Sequence, residues 1–350
     1  MNISERMKNF NVPGVSISYF SNAKVEWSKH FGTLEKGFDK DVNNDSIFHA
    51  CSISKMITSL CVLKLFQDGM LDLHKDVNEY LLSWKIPDSK LTDEKKVTLS
   101  NLLAHQAGFY DCEGSFSPYR SGSDIPQAID ILKGTSCYNP AEVHVEYVPE
   151  TDCEYSDAGY CVISQILQDV LSESIAKIAK RIVFDPLGLK NTFFWEIGRS
   201  LPEGISLEEC AAGHDSSGEA VEEVRAHYPN IEGAALWTTA NELAQIVIEI
   251  IKAYHGMDSL ILNQETARLM LTPYGCDENT GFGVFLDKDE KGEPYFFSQG
   301  WGVGMQCKLR AYYESRTGVI VMTNSEPGIE QDKALVGEII EYACKINGGK

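Results

Sequence analysis

Positive charge is what this sequence is shortest of. Its 350 residues carry 31 lysines and arginines against 51 aspartates and glutamates, a formal net charge of −20. Nucleic acid is not an expected partner, because phosphate binding needs a basic surface. Missing too is any apolar run near the ~20 residues that span a bilayer, so no membrane partner is expected. The opening Met1-Asn2-Ile3-Ser4-Glu5-Arg6-Met7 has no apolar stretch of the secretory kind. The ten cysteines contain no Cys-x-x-Cys, so no zinc site is expected. Without a secretion signal they read as reduced thiols, and the expected location is cytoplasmic. Internal repeats and low-complexity segments are absent as well. With 43% hydrophobic residues, the chain has ample material for a large core.

What is present begins with Phe48-His49-Ala50-Cys51-Ser52-Ile53-Ser54-Lys55-Met56-Ile57-Thr58-Ser59. An apolar approach runs into Ser-x-x-Lys, and Met56, Leu60, Leu63 and Phe66 follow at helical spacings of three and four. Residues i and i+3 share a helix face, so Lys55 lies beside the Ser52 hydroxyl at the first turn. That pairing suits nucleophilic catalysis. A serine is a weak nucleophile until a neighbouring base takes its proton, and a helix N-terminus favours a developing anion. The spacing occurs three times, at Ser21…Lys24, Ser52…Lys55 and Ser174…Lys177. The first falls in a turn between strands Val15–Phe20 and Val25–Phe31, and the third on a solvated helix face. Only Ser52 has apolar surroundings.

Asp68-Gly69 stops the opening helix. Val97 to Gly108 reads as a short helix ended by glycine, with His105 a hydrogen-bonded structural group. Residues 109–150 are rich in Ser, Gly, Pro and Tyr and read as a long loop with one helix near Ile125–Lys133. Tyr155-Ser156-Asp157 opens a helix over Cys161–Leu171, another follows at Ile178–Leu187, and Thr238-Thr239 caps a helix over Glu242–Tyr254. From Gly281 the period changes to two. Phe282–Leu286, Tyr295–Ser298, Gly304–Tyr312 and Gly318–Thr323 read as antiparallel strands, before a closing helix from about Gln331 to Cys344.

Ser52-x-x-Lys55, Tyr155-x-Asp157 and Gln299-Gly300-Trp301-Gly302-Val303-Gly304 occur in that order at wide spacing. In these motifs the sequence resembles the class C β-lactamase and penicillin-binding-protein-like serine hydrolases, a family that includes family VIII esterases and D-aminopeptidases. Leu102-Leu103-Ala104-His105-Gln106-Ala107-Gly108, Gly233-Ala234-Ala235-Leu236-Trp237 and Gly318-Val319-Ile320-Val321-Met322-Thr323-Asn324-Ser325 extend the likeness over nearly the whole chain. The resemblance implies an α+β fold: an antiparallel sheet flanked by N- and C-terminal helices, with an inserted, mostly helical region. It implies one catalytic domain over 1–350, composed of an α/β part (about 1–70 and 240–350) and a helical part (about 71–239). It also assigns roles. Ser52 would be the nucleophile, and Lys55 and Tyr155 would share proton transfer. The backbone N–H groups of Ser52 and Gly302 would form the oxyanion hole. No cofactor or metal is implied, and the expected partner is a small ester, amide or peptide substrate. The oligomeric state is left open. A lysine ammonium beside Tyr155 is expected to lower the phenol's pKa.

The chain departs from the family pattern at its substrate-binding positions. Asp157 replaces the usual asparagine. A carboxylate there would pair with Lys55 and keep it protonated, or attract a substrate ammonium. Gln299 stands where β-lactamases carry lysine, and Trp301 replaces a small residue. With Gly300 between them, these positions argue for esterase, amidase or peptidase chemistry rather than efficient β-lactam turnover. D-aminopeptidase, β-lactamase and acyltransferase activities are the enzymatic alternatives, and a silent ligand-binding homologue is the non-enzymatic one. Two further matches are set aside. Tyr228-Pro229-Asn230 fits Tyr-x-Asn literally, but no helix is expected directly after it. Arg316-Thr317-Gly318 reads as a hairpin turn.

Overall fold

Asn22 and Ala23, both at positive φ (50° and 57°), form the two-residue turn between β1 (Gly14–Ser21) and β2 (Lys24–Gly32). Turns of that hand match the right-handed twist of paired strands. The first Ser-x-x-Lys is therefore a hairpin turn, as its position suggests. In the computed structural model, which describes residues 1–347, β1 also pairs with the last strand of the chain. The sheet is antiparallel with order β2-β1-β9-β8-β7-β6, the later strands being β6 (Phe285–Lys288), β7 (Pro294–Gly302), β8 (Met305–Tyr312) and β9 (Thr317–Thr323). A smaller sheet joins β3 (Phe48–Cys51), β5 (Leu236–Thr238) and β4 (Phe193–Phe194).

One sheet face packs on α1 (Ile3–Asn9) and α11 (Leu335–Asn347) around Val15, Ile17, Val319, Val321 and Ile340. The other face meets α9 (Ala240–Tyr254), capped by the Thr239 side chain, and α2 (Ser54–Gln67) lies in the same core. Eleven of the fourteen α2 residues are buried, so this is a core helix apolar on all sides rather than an amphipathic one. Between α2 and α9 the chain forms α3 (Lys90–Glu94), α4 (Leu99–Leu103), α5 (Ala128–Leu132), α6 (Asp157–Leu171), α7 (Ile175–Ala179) and α8 (Ile231–Ala234). Those elements form the helical middle, and α10 (Gln264–Met270) follows α9.

Several boundaries differ from the sequence-based expectations. Helix α4 ends at Leu103, well before Gly108, because His105 itself adopts the left-handed conformation (φ 57°). Strand β6 begins at Phe285 rather than Phe282. Gly283 sits at φ 73°, and a Cβ there would lie 2.0 Å from Ser59 Oγ, so this stretch hugs α2 instead of joining the sheet. The expected helix over Ile178–Leu187 is α7 followed by a π-turn at Lys180–Phe184. Ser174 precedes α7 and Lys177 is exposed on it, so the third Ser-x-x-Lys remains a surface feature. A helix, α8, does start directly after Tyr228-Pro229-Asn230, contrary to expectation.

Candidate active site

Cys51 ends β3 in a left-handed conformation (φ 49°), a strain costing on the order of 1–3 kcal/mol for a residue with a side chain. It turns the chain sharply out of the small sheet. Ser52 lies in that turn, two residues before α2 rather than inside its first turn. The Lys55 N–H still donates to the Ser52 carbonyl at 3.0 Å, so the one-turn relation of the two residues holds.

The third partner comes from the head of α6. Ser52, Lys55 and Tyr155 line one pocket, where the Ser52 hydroxyl and the Lys55 amine both act on the Tyr155 phenol. Lys55 Nζ also stands 4.7 Å from the Tyr155 ring centroid and 5.6 Å from that of Tyr160. It donates to Asp157 Oδ1 at 2.7 Å and to the Gly233 carbonyl at 3.1 Å. Asp157 thus forms a partly buried ion pair, with side chains 4% (Lys55) and 20% (Asp157) exposed. Burial alone would lower the Lys55 pKa. The Asp157 carboxylate and the Tyr155 oxygen outweigh it and raise the pKa, so the amine stays charged.

The Tyr155 phenol is raised, not lowered. Burial around the hydroxyl is the largest cause, the Lys55 ammonium opposes it, and the Asp157 charge adds to it. The ammonium lowers the pKa as expected, but burial outweighs it and the Asp157 charge adds to the rise.

Three supports surround this centre: His105, expected as a hydrogen-bonded structural group, and Asp111 and Asn230, which were not expected here. Asp111, in the long loop, accepts from Asp157 N at 2.6 Å, Ser156 Oγ at 2.8 Å and Ala158 N at 3.1 Å. A carboxylate at a helix N-terminus satisfies orphan donors and favours the helix dipole, so Asp111 fixes the start of α6 just after Tyr155. His105 Nδ1 accepts from Ser156 N at 3.2 Å, and its ring lies 4.4 Å from that of Tyr155. Burial, then the Lys55 charge, lower its pKa to about 3, so it works as a neutral support. Asn230 Nδ2 donates to Asp157 Oδ1 at 2.8 Å. Asn230 belongs to the Tyr-x-Asn that was set aside, and Tyr228 of the same motif accepts from Val303 N at 2.9 Å. The motif braces the site from behind.

Strand β7 forms the opposite wall. Gln299, Gly300, Trp301 and Gly302 continue it in regular register with β8, facing Lys308, Cys307, Gln306 and Met305, without a bulge. Strand β6 pairs only as far as Phe297, so Ser298 to Gly302 have no strand partner on that side among the described residues. A Cβ on Gly300 would lie 2.1 Å from the Ala50 carbonyl oxygen. One on Gly302 would lie 2.8 Å from Cys51 Sγ and 2.9 Å from Tyr228 Oη. The glycines therefore let β7 approach the residues leading into Ser52. Trp301 is 44% exposed at the open edge, and Gln299 is exposed but reaches the pocket. Arg316, at φ 59°, lies in the β8–β9 turn, as its sequence suggested.

Comparison with known proteins agrees with this architecture. Putative D-alanyl-D-alanine carboxypeptidases from Salmonella gallinarum and Salmonella typhimurium are each 25% identical over 197 residues, 55% of this chain and 43% of theirs. The chain thus spans less than half the length of these curated relatives. A D-amino acid amidase from Ochrobactrum anthropi SV3 superposes with a TM-score of 0.78 at 19% identity, covering 98% of both chains. The octameric penicillin-binding protein homologue from Pyrococcus abyssi gives 0.76 at 22% identity, covering 99% of this chain and 76% of that one. These likenesses establish the α+β fold read from the sequence. The beta-lactamase family model matches residues 2–343, and the chain belongs to that family.

Proposed function

We propose that the protein is a serine hydrolase that cleaves an ester or amide through an acyl-enzyme on Ser52. The observation that carries this reading is the contact of Ser52, Lys55 and Tyr155 in one pocket. Ser52 Oγ attacks the carbonyl carbon, and its proton passes to the Tyr155–Lys55 pair, which returns a proton to the leaving atom. Because Asp157 holds Lys55 protonated, the phenol oxygen is the group that exchanges the proton, and the lysine steadies its charge. The N–H groups of Ser52 and Gly302 receive the oxyanion. The open edge of β7 offers main-chain groups to an extended substrate backbone, as strand addition requires.

Gln299 offers no positive charge to a substrate carboxylate. That favours esterase or amidase chemistry over the carboxypeptidase and β-lactamase activities named among the relatives. Turnover of p-nitrophenyl acetate by wild type and Ser52→Ala tests the proposal. The variant is expected to lose roughly 10³–10⁶-fold in kcat. Equal rates would overturn the assignment.

A further inference from the structure

An oxyanion hole works only if its donors reach the same oxygen at the same moment. Here the two N–H groups proposed for that task ride on different elements. Ser52 follows the strained Cys51 turn after β3, whereas Gly302 ends β7. Beyond Phe297, β7 pairs only with β8 among the described residues. Gly302 pairs with Met305, so Val303 and Gly304 close the hairpin in a two-residue turn. The spacing of the two donors therefore depends on what stands between the hairpin end and the Cys51 turn.

Tyr228 stands there. It is 8% exposed, and its Oη accepts from Val303 N, the residue after Gly302, at 2.9 Å. The point that a Gly302 Cβ would occupy is 2.9 Å from Tyr228 Oη and 2.8 Å from Cys51 Sγ. The hydroxyl, the Cys51 thiol and the end of β7 thus meet at one place. His214 N holds the hairpin from Gly304, donating to its carbonyl at 3.2 Å; Tyr228 holds the residue beside the donor itself. Tyr228 is in turn fixed. Its ring lies 5.5 Å from that of His49, three residues before Ser52, and packs with Ala226, Ala234 and Val303. Pro229 stiffens the chain after it, and Asn230 is tied to Asp157 at 2.8 Å.

We infer that Tyr228 is a positioning residue for the oxyanion hole: by holding the Val303 N–H, its hydroxyl sets the distance between the Gly302 and Ser52 donors. The inference rests on the Ser52 acyl-enzyme reading. Tyr228 is outside the pocket that Ser52, Lys55 and Tyr155 line, so it acts through β7 rather than on the substrate. A bound ester carbonyl asks little of the two donors, because its oxygen carries only partial charge. The tetrahedral species puts a full charge on that oxygen and needs both. Loss of the hydroxyl therefore weakens the transition state more than the bound substrate.

Tyr228→Phe keeps the ring and removes the acceptor. With p-nitrophenyl acetate, kcat and kcat/KM are expected to fall together by on the order of tenfold, with KM near that of the wild type. That is less than the roughly 10²–10³-fold lost when a whole oxyanion donor is removed. Inhibition by phenylboronic acid, whose adduct on Ser52 Oγ is tetrahedral and anionic, is expected to weaken by a similar factor. A purely structural role would lower the urea midpoint without this kcat-against-KM split. Far-UV circular dichroism identifies folded protein, and if Tyr228→Phe does not fold, Tyr228→Met fills the space without an acceptor and carries the same expectation. Unchanged kcat in the folded variant, a loss confined to KM, or unchanged inhibition by phenylboronic acid would overturn the positioning role and leave the serine hydrolase standing. Equal ester turnover by wild type and Ser52→Ala removes the parent reading, and this one with it.

Discussion

Asp157 sets the electrostatics around Lys55 and Tyr155. An asparagine there would leave Lys55 free to stabilise a tyrosinate. The carboxylate instead binds the ammonium at 2.7 Å and lends its own negative charge to the surroundings of Tyr155. Other titratable groups face the pair from every side: Asp111 and His105 from loops, Tyr160 from α6 and Glu232 from α8. If the phenolate is the working base, activity rises with pH as Tyr155 loses its proton, and the raised pKa places that rise on the alkaline side. Asp157→Asn removes one cause of the raised value, so the rising limb is expected to move to lower pH. Log kcat/KM for p-nitrophenyl acetate against pH is the measurement. A limb that stays in place or moves upward would show that Asp157 does not control the base.

At the scale of elements, the approach of β7 to β3 holds the site together. Gly300→Ala would place a methyl group against the Ala50 carbonyl, backbone against backbone, with no flexible side chain to yield. The expected cost is about 1–3 kcal/mol, read as a lower midpoint in urea at an unchanged slope. An unaltered midpoint would mean that the strands can separate freely there.

The same elements show what was legible in the sequence. Alternation marked every strand of the large sheet, and the three-four spacing marked α2, because those patterns are local. The limits moved where one residue answered to a distant contact, as at Gly283, which is shaped by Ser59 on α2. Motif spacing pointed to Ser52, Lys55 and Tyr155, which the fold gathers into one pocket. His105 was legible as a hydrogen-bonded structural group, whereas Asp111 and Asn230 were not legible as supports of that centre. Asp111 lies 46 residues before Asp157 in a loop without periodicity, and only the folded chain brings them together. Asn230 did carry a signal, the Tyr-x-Asn match, but its partners lie across the molecule.

For the whole molecule, the cysteines give a simple check. All ten are free, and most are raised in pKa by burial, including Cys51, Cys61, Cys161 and Cys307 in the core. With no disulfide to break, the melting temperature is expected to be the same with and without reductant. A drop in reductant would reveal a cross-link that the fold does not contain.

The large sheet also joins the two ends of the chain. Strand β1 lies between its hairpin partner β2 and β9, and Arg6 on α1 forms an ion pair with Glu338 on α11. This arrangement sets a timetable for synthesis. At roughly 5–20 residues per second, β1 leaves the ribosome some 15–60 s before β9 exists to pair with it. Throughout that interval the first hairpin exposes an unpaired edge whose inner face, Val15, Ile17 and Tyr19, is built for burial. The nascent chain should therefore be most vulnerable to aggregation until β9, some 300 residues after β1, appears, and a cell making this protein would need to shelter β1 for that long.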